Sequence, residues 1–321
     1  MSLRRGPAEI AAAVPRQLME REISRFSAEQ RLWRQGSFDV LLFRAWQAPA
    51  VLFEIGRVRE LTFRQVQEGT GRSADLDRFD EHYEHLLLWE RERGEVAGAY
   101  RMVRTGPVLA SHGPSGLYTQ SLFNLKPGFF RELGPAVELG RSFVHPDYQR
   151  KPHSLALLWR GIGAYLDRHP ECQALFGPVS ISGSYSMAAR RMLAAYFVAG
   201  ASSDSLRPHV RARRPIARGA ASRIATIEEI DELVRRMGGP AAERGIPVLL
   251  RQYLKLGGRV IDCSVDPAFG NCLDALIVVD LQRIDRDRVR RMLGSRGPGQ
   301  HFAPAGCGAS GGPPPAAATS A

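Results

Sequence analysis

Residues 135–169, PAVELGRSFVHPDYQRKPHSLALLWRGIGAYLDRH, set a strand, a basic loop and a helix in direct succession, and the rest of the chain has to accommodate that unit. Ala136 to His145 carries the valines and other apolar residues of a strand. Pro146 and Asp147 turn the chain, and Tyr148 to His153 form a polar, basic loop. Apolar periodicity then predicts a helix from about Ser154 to Leu166. The first N–H groups of a helix have no intrahelical partner and carry the positive dipole end. A strand that delivers a basic loop to such a terminus makes a ready anion site. The same strand carries a carboxylate and a guanidinium, Glu138 and Arg141, in apolar company.

Side chains three apart on a regular strand point to opposite faces, so Glu138 and Arg141 share a pocket only if the strand bulges near Gly140. Ala174 to Ser182 is the next strand, and its Pro178 fits only an edge, a bulge or a point where pairing has stopped. Before this unit, Ser37 to Arg44 predicts a strand, Pro49 opens a helix running to about Val66, and His85 to Glu90 with Val96 to Thr105 predicts a hairpin across Gly94. Gly106 to Gly134 reads as irregular, and residues 207–223 as an exposed arginine-rich loop. A helix from about Tyr185 to Val198 follows the proline-bearing strand. Later come a helix capped by Thr226 and Glu229, a helix from Pro247, and two strands joined by DPAFGN.

This order predicts an α/β (α+β) chain: a mixed sheet with helices on both faces, ending in a helix pair plus hairpin. Residues 1–35 read as a leading helix or linker without strand signal, 36–283 as the main domain with a C-terminal extension from about 224, and 297–321 as a disordered Gly, Pro and Ala tail.

The 321 residues carry a net charge of +11, almost all of the positive charge as arginine. Such a surface suits anionic partners: nucleic acid, a membrane face, an acidic carrier protein or a phosphorylated cofactor. No zinc-finger, helix-turn-helix or RNA-recognition pattern is present, which leaves nucleic acid aside. The four cysteines show no paired spacing and suit the reducing cytoplasm. No run is long and apolar enough to cross a membrane, and the N-terminus lacks the apolar core of a secretory signal. His82 and His85 fit no metal-ligand motif.

The strand–basic loop–helix unit within this order resembles the GNAT superfamily of N-acyltransferases, whose central sheet is mostly antiparallel. There the loop after the fourth strand carries Q/R-x-x-G-x-G/A and cradles a pantetheine pyrophosphate; here Gln149, Pro152 and Ser154 stand at those places. Arg59-x-x-x-Phe63, Asp77-x-x-Asp80, Arg101 in GAYRMV and Glu138-x-x-Arg141 resemble a long-chain branch of that superfamily. The branch comprises the ornithine-lipid N-acyltransferases, also called putative hemolysins, and the acyl-homoserine-lactone synthases. HPDYQR and the closing YLKLGGRVIDCSVDPAFGNCLDALIVVDL are similar to the hemolysin-type group. The aromatic that the lactone synthases carry after the Arg-x-x-x-Phe pair is absent, since Gly69 to Gly71 stand there.

The resemblance implies transfer of a long acyl chain from an acyl-carrier-protein or CoA thioester to a small amine such as ornithine. The thioester is a co-substrate, with no permanently bound cofactor. On that reading Glu138 takes the amine proton, Arg141 positions substrate, and Tyr185 protonates the leaving thiolate. The alternatives are a sheet-stitching Glu138–Arg141 ion pair and a packed aromatic. Tyr148, Gln149, Arg150, Lys151, His153 and Ser154 are candidates for the donor phosphates, or else a solvated basic loop. Arg59, Phe63, Asp77, Asp80 and Arg101 line the acceptor end, the charged ones also readable as surface ion pairs and the two aspartates as loop caps. Residues 207–223 offer a peripheral contact to an anionic membrane or carrier protein. A catalytically silent module that docks such a carrier or the membrane for a partner acyltransferase is the second reading, and an acyl-homoserine-lactone synthase, which the missing aromatic disfavours, the third.

Overall fold

Leu86, Leu87, Leu88 and Trp89 are buried one after another, which a strand achieves only when both faces of its sheet are covered. In the computed structural model, which describes residues 6–150, 153–217, 226–237 and 245–294, both faces are. Leu86 and Leu88 join the core beneath one layer of helices, while Leu87 and Trp89 join a separate core on the opposite face.

The chain opens with helix α1 (Arg16–Ser24) and strand β1 (Arg31–Gln35). The sheet therefore begins inside the segment expected to lack strands; β1 is a short, half-exposed edge whose alternation is too brief to register in sequence. Strand β2 (Phe38–Arg44) leads to helix α2 (Pro49–Arg64), whose first turn is capped from a distance: Glu22 accepts from the Ala50 and Val51 N–H groups at 3.0 and 2.9 Å. Strands β3 (Glu84–Glu90) and β4 (Glu95–Arg104) form the expected hairpin.

The segment expected to be irregular is instead built. It contains α3 (Thr105–His112), α4 (Thr119–Leu122), β5 (Phe123–Leu125) and α5 (Pro127–Leu133). Its prolines and glycines lie at helix starts and ends rather than marking loop throughout: Pro127 opens α5, and Gly113 and Gly134 follow α3 and α5 at positive φ. Strand β6 (Ala136–Val144), the short α6 (Pro146–Gln149) and α7 (Ser154–Arg168) then form the unit legible in the sequence.

Strand β7 (Ala174–Ile181) and helix α8 (Met187–Gly200) follow. In the arginine-rich segment, strand β8 (Val210–Ala212) pairs with β5, Val210 and Ala212 are buried, and Pro215 bridges to Ser264. The described part of that segment is thus docked rather than looped out; residues 218–223 lie outside the described residues, as does the 297–321 tail. Helix α9 (Ile227–Arg236) has the Thr226–Glu229 capping box, and α10 (Val248–Lys255), β9 (Arg259–Asp266), β10 (Cys272–Asp280) and α11 (Arg286–Leu293) complete the chain.

The main sheet runs β1-β2-β3-β4-β6-β7-β10-β9. Every neighbour is antiparallel except β6 and β7, which run parallel and pair only from Ala136–Ala174 to Glu138–Phe176. Beyond that point the two strands splay, and Pro178 sits in the unpaired stretch, where its missing N–H costs nothing on the β6 side. On its other side β7 pairs with β10, Pro178 opposite Leu276.

Gly161 and Gly163 serve packing. A Cβ on Gly161 would press into Val40 and Leu86 beneath α7, and one on Gly163 would meet the Leu293 carbonyl of α11. Gly161→Leu is expected to cost about 1–3 kcal/mol through overpacking, read as a lower denaturation midpoint at unchanged m-value. Cys263 lies opposite Ala275 and Cys272 opposite Asp266, so these two thiols are offset along the hairpin and belong to opposite cores.

Candidate active site

The β4–β6 ladder contains the bulge that the Glu138–Arg141 spacing demands. Arg101 lies opposite Gly140 and Ala99 opposite Phe143, leaving Tyr100 against both Arg141 and Ser142. Arg141 takes up the extra residue at φ +48°, a left-handed conformation that costs a non-glycine residue about 1–2 kcal/mol. Ion pairs oppose that cost: its guanidinium lies 3.2 Å from Asp75 and 3.6 Å from Asp77.

Arg141 is one member of a buried ionic cluster. Arg59 pairs with Asp75 and Asp80, each at 3.0 Å, and Arg101 pairs with Asp77 at 2.6 Å and Asp80 at 3.3 Å. Three guanidiniums thus meet three carboxylates, and Arg59, Arg101 and Asp75 are at most 1% exposed. Burial alone would raise the Asp80 carboxyl, but Arg59 and Arg101 outweigh it and hold it below the usual carboxylate range. The Arg101 and Arg141 guanidiniums, which burial would lower, are raised by their aspartates and stay charged. Asp77 and Asp80 also cap the turn that follows: Asp77 accepts from the Phe79 N–H at 2.9 Å, and Asp80 from the Asp77 N–H at 2.7 Å. The loop-cap reading of these aspartates therefore holds, the surface ion-pair alternative is replaced by a buried network, and Arg59, Asp77, Asp80 and Arg101 lie outside the lining of the two cavities described below. His85, held against the Asp80 carbonyl at 2.9 Å, is lowered by burial to about 4 and is neutral at physiological pH.

Glu138 occupies a different place from the one expected. Its carboxylate is 1% exposed and accepts from the Tyr83 hydroxyl, the Tyr118 N–H and both the N–H and hydroxyl of Thr119. It lines neither cavity described below, and it forms no ion pair with Arg141 among the described residues. Burial raises its pKa against those hydrogen bonds. With four donors converging on it, Glu138 anchors the 118–119 turn; the expectation of a proton-accepting base is revised on that ground. The two residues do share one side of the sheet: Glu138 holds the Tyr118 backbone, and Arg141 donates to the Tyr118 hydroxyl at 3.2 Å.

Where β6 and β7 part, a cavity of about 580 Å³ opens between Ser142–Val144 of one strand and Val179 and Ser180 of the other, with Ser182 just beyond it. Ser154 and Leu155, the first residues of α7, border it, so the helix N-terminus faces the opening. A smaller chamber of about 50 Å³, lined by Tyr118, Gly140, Arg141 and Asp274, shares Phe63, Ser142 and Ser180 with the larger one. The floor of the gap cannot fill: a Cβ on Gly177 would collide with the backbone carbonyl of Leu139.

Of the residues predicted for the donor, Tyr148, Gln149 and Ser154 line the larger cavity, whereas Arg150 and His153 are exposed and outside its lining. Lys151 lies outside the described residues. The Tyr148 hydroxyl donates to Glu95 at 2.8 Å and Ser154 to the Tyr148 carbonyl at 3.1 Å, so their polar groups brace the loop. Tyr185 borders the cavity, but its hydroxyl donates to the Gly245 carbonyl at 2.7 Å, a bond it must exchange before acting as an acid. Phe63 packs edge-on against Phe269, ring centroids 4.9 Å apart, at the junction of the two cavities.

Sequence reasoning missed Glu68, Asp75, Tyr83, Tyr118 and Asp274. Asp75 alone had a readable signal, as the first acid of the Asp75-x-Asp77-x-x-Asp80 run.

A GNAT acetyltransferase-domain family model matches residues 58–160, the span from α2 into α7. The chain is 30% identical over 268 residues to the L-ornithine N(alpha)-acyltransferase of Brucella abortus, covering 79% of this chain and 88% of that protein. It therefore belongs to the N(alpha)-acyltransferase family which that protein represents. It is 32% identical over 196 residues to the glycine N(alpha)-acyltransferase of Phocaeicola vulgatus, covering 58% of this chain and 60% of that protein, and so spans about three-fifths of that relative's length. Among solved structures it is similar to FeeM, an N-acyl amino acid synthase from uncultured soil microbes, at 9% identity and a TM-score of 0.39, covering 80% of this chain and 94% of that one.

Proposed function

We infer that this chain transfers a long acyl group from a phosphopantetheine thioester to the α-amino group of a small amino acid, ornithine or glycine, in lipid biosynthesis. The observation that carries this reading is the splay of β6 from β7 beyond Glu138 and Phe176, which opens one continuous lining from the α7 N-terminus to Arg141. Two unpaired strand edges suit an extended arm bearing amides, which hydrogen-bonds as an added strand would. The helix N-terminus suits the phosphate at the end of that arm. The net charge of +11 suits an anionic donor, whether an acidic carrier protein or the phosphates of CoA. At the inner end, Arg141 stands charged beside Tyr118, placed to receive the acceptor's carboxylate.

An open cavity of this size is what a catalytically silent docking module would not need. No helix of the described residues is long and apolar enough to cross a membrane.

The test supplies acyl carrier protein or CoA charged with a long acyl chain, offers ornithine and glycine, and follows N-acyl product by mass spectrometry. Amide formation is expected, and the ratio of the two rates identifies the donor's bearer. Arg141→Gln is expected to lower kcat/KM by about 10- to 100-fold, the equivalent of one hydrogen bond to a charged group. Absence of any amide product with either donor would overturn the reading.

A further inference from the structure

We propose that Glu68 accepts the proton of the attacking amine and passes it to the departing sulfur, an assignment that rests on the acyl-transfer reading above. Glu68 follows α2, is 7% exposed, and borders the larger cavity. Its Oε2 accepts from the Ser180 hydroxyl at 2.7 Å, and Ser180 lines both cavities. Glu68 therefore stands at the junction where the donor's reacting end would meet an amine held by Arg141. Among the described residues its Oε1 accepts no hydrogen bond, in contrast to Glu138, whose two oxygens receive four donors.

The groups facing Glu68 come from three strands. Ser180 of β7 and Arg141 of β6 favour its charged form, and Asp274 and Cys272 of β10 lie on the opposite side of the electrostatic balance. Burial pushes the Glu68 carboxyl up to about 7, with Ser180 and Arg141 restraining it. A group that titrates near ambient pH both takes and returns a proton efficiently. Asp274, which borders the inner chamber, is pushed well above the carboxylate range by burial and the neighbouring acids, so it holds its proton.

The step balances within the substrates. The amine lone pair adds to the thioester carbonyl carbon, forming the C–N bond and an oxyanion. The nitrogen's proton moves to the Glu68 carboxylate. The oxyanion collapses, the C–S bond breaks, and the thiolate takes that proton, leaving amide, thiol and the carboxylate restored.

The experiment measures kcat/KM against pH for wild type, Glu68→Gln and Ser180→Ala, with one acyl thioester and one free amino acid. Wild type is expected to show an acid limb with its midpoint near pH 7. Glu68→Gln should lose about 10²- to 10⁴-fold at neutral pH together with that limb. Ser180→Ala removes the bond that holds the carboxyl down, so the limb should move to higher pH. Ionisation of the acceptor amine adds a second feature common to all three proteins. An active Glu68→Gln variant with an unchanged profile overturns the assignment while leaving the acyltransferase reading intact. If that variant does not fold, a Ser180→Ala limb that stays fixed or moves to lower pH overturns it. A wild-type protein that forms no amide defeats both.

Discussion

Arg59→Met is expected to destabilise the fold by about 3–5 kcal/mol, because it removes one partner of a buried pair and leaves the others charged in place. Arg59 is 1% exposed and pairs with Asp75 and Asp80, neither of which can reach bulk water. The measurement is urea denaturation at pH 7 and again at acid pH. Asp80 has its folded pKa depressed, so its contribution is present above the ordinary aspartate value of about 4 and is lost as pH falls through the folded value. The deficit of the variant should therefore shrink toward acid pH. A cost below about 1 kcal/mol would mean that the cluster behaves as exposed surface pairs do. Because Arg101 shares Asp80, Arg59→Met combined with Asp80→Asn should cost less than the sum of the two single changes.

Glu138→Ala should lose about 3–5 kcal/mol as well, through a different mechanism: it strands the Tyr83 and Thr119 hydroxyls and the Thr119 N–H, each lost partner costing about 1–3 kcal/mol before the hydroxyls reorient, while the Tyr118 N–H keeps the Tyr83 hydroxyl oxygen at 2.8 Å. The sequence reading leads to the contrary expectation, a variant that folds normally and is merely inactive. Thermal unfolding with and without added substrate separates the two. Glu138→Gln keeps an acceptor oxygen and should cost less, and where it folds it should retain the wild-type pH profile. That outcome would distinguish an anchor from a proton carrier. A fully stable Glu138→Ala protein would return Glu138 to the catalytic role.

What could be read from the chain, and what could not, follows from where the partners lie. The β6–α7 unit, the bulge near Gly140 and the interruption at Pro178 are local in sequence: apolar pattern and strand geometry narrow each to a few solutions, and the resemblance selects among them. The charged pairs Arg59, Asp77, Asp80, Arg101 and Arg141 were legible through resemblance, but their burial was not, because it depends on helix α2 and the 75–80 turn closing over β4 and β6. The anchoring hydrogen bonds of Glu138 were not legible because its donors come from residues 83 and 118–119, and the latter lie in a stretch whose prolines and glycines looked like loop. Glu68 was invisible for a related reason. It sits between Gln67, at φ +58°, and a glycine-rich run where no periodicity says which way a side chain points. Only the approach of Ser180, 112 residues later, gives it a role.

The parallel pair β6–β7 has a mechanical consequence. Three residue pairs, Ala136 to Glu138 against Ala174 to Phe176, connect five strands on one side of the sheet to three on the other. Each side is knitted by longer antiparallel ladders, so strain applied across the molecule concentrates at this short seam. The two sides can behave as separate cooperative units in hydrogen exchange, with the seam opening at lower free energy than either. A ligand lying in the gap would act as a rivet, adding cross-links where the sheet has fewest and tying the exchange of β6 amides to that of β7. Loss of the acyl group to product would withdraw part of that rivet, and the seam would be the place where release begins.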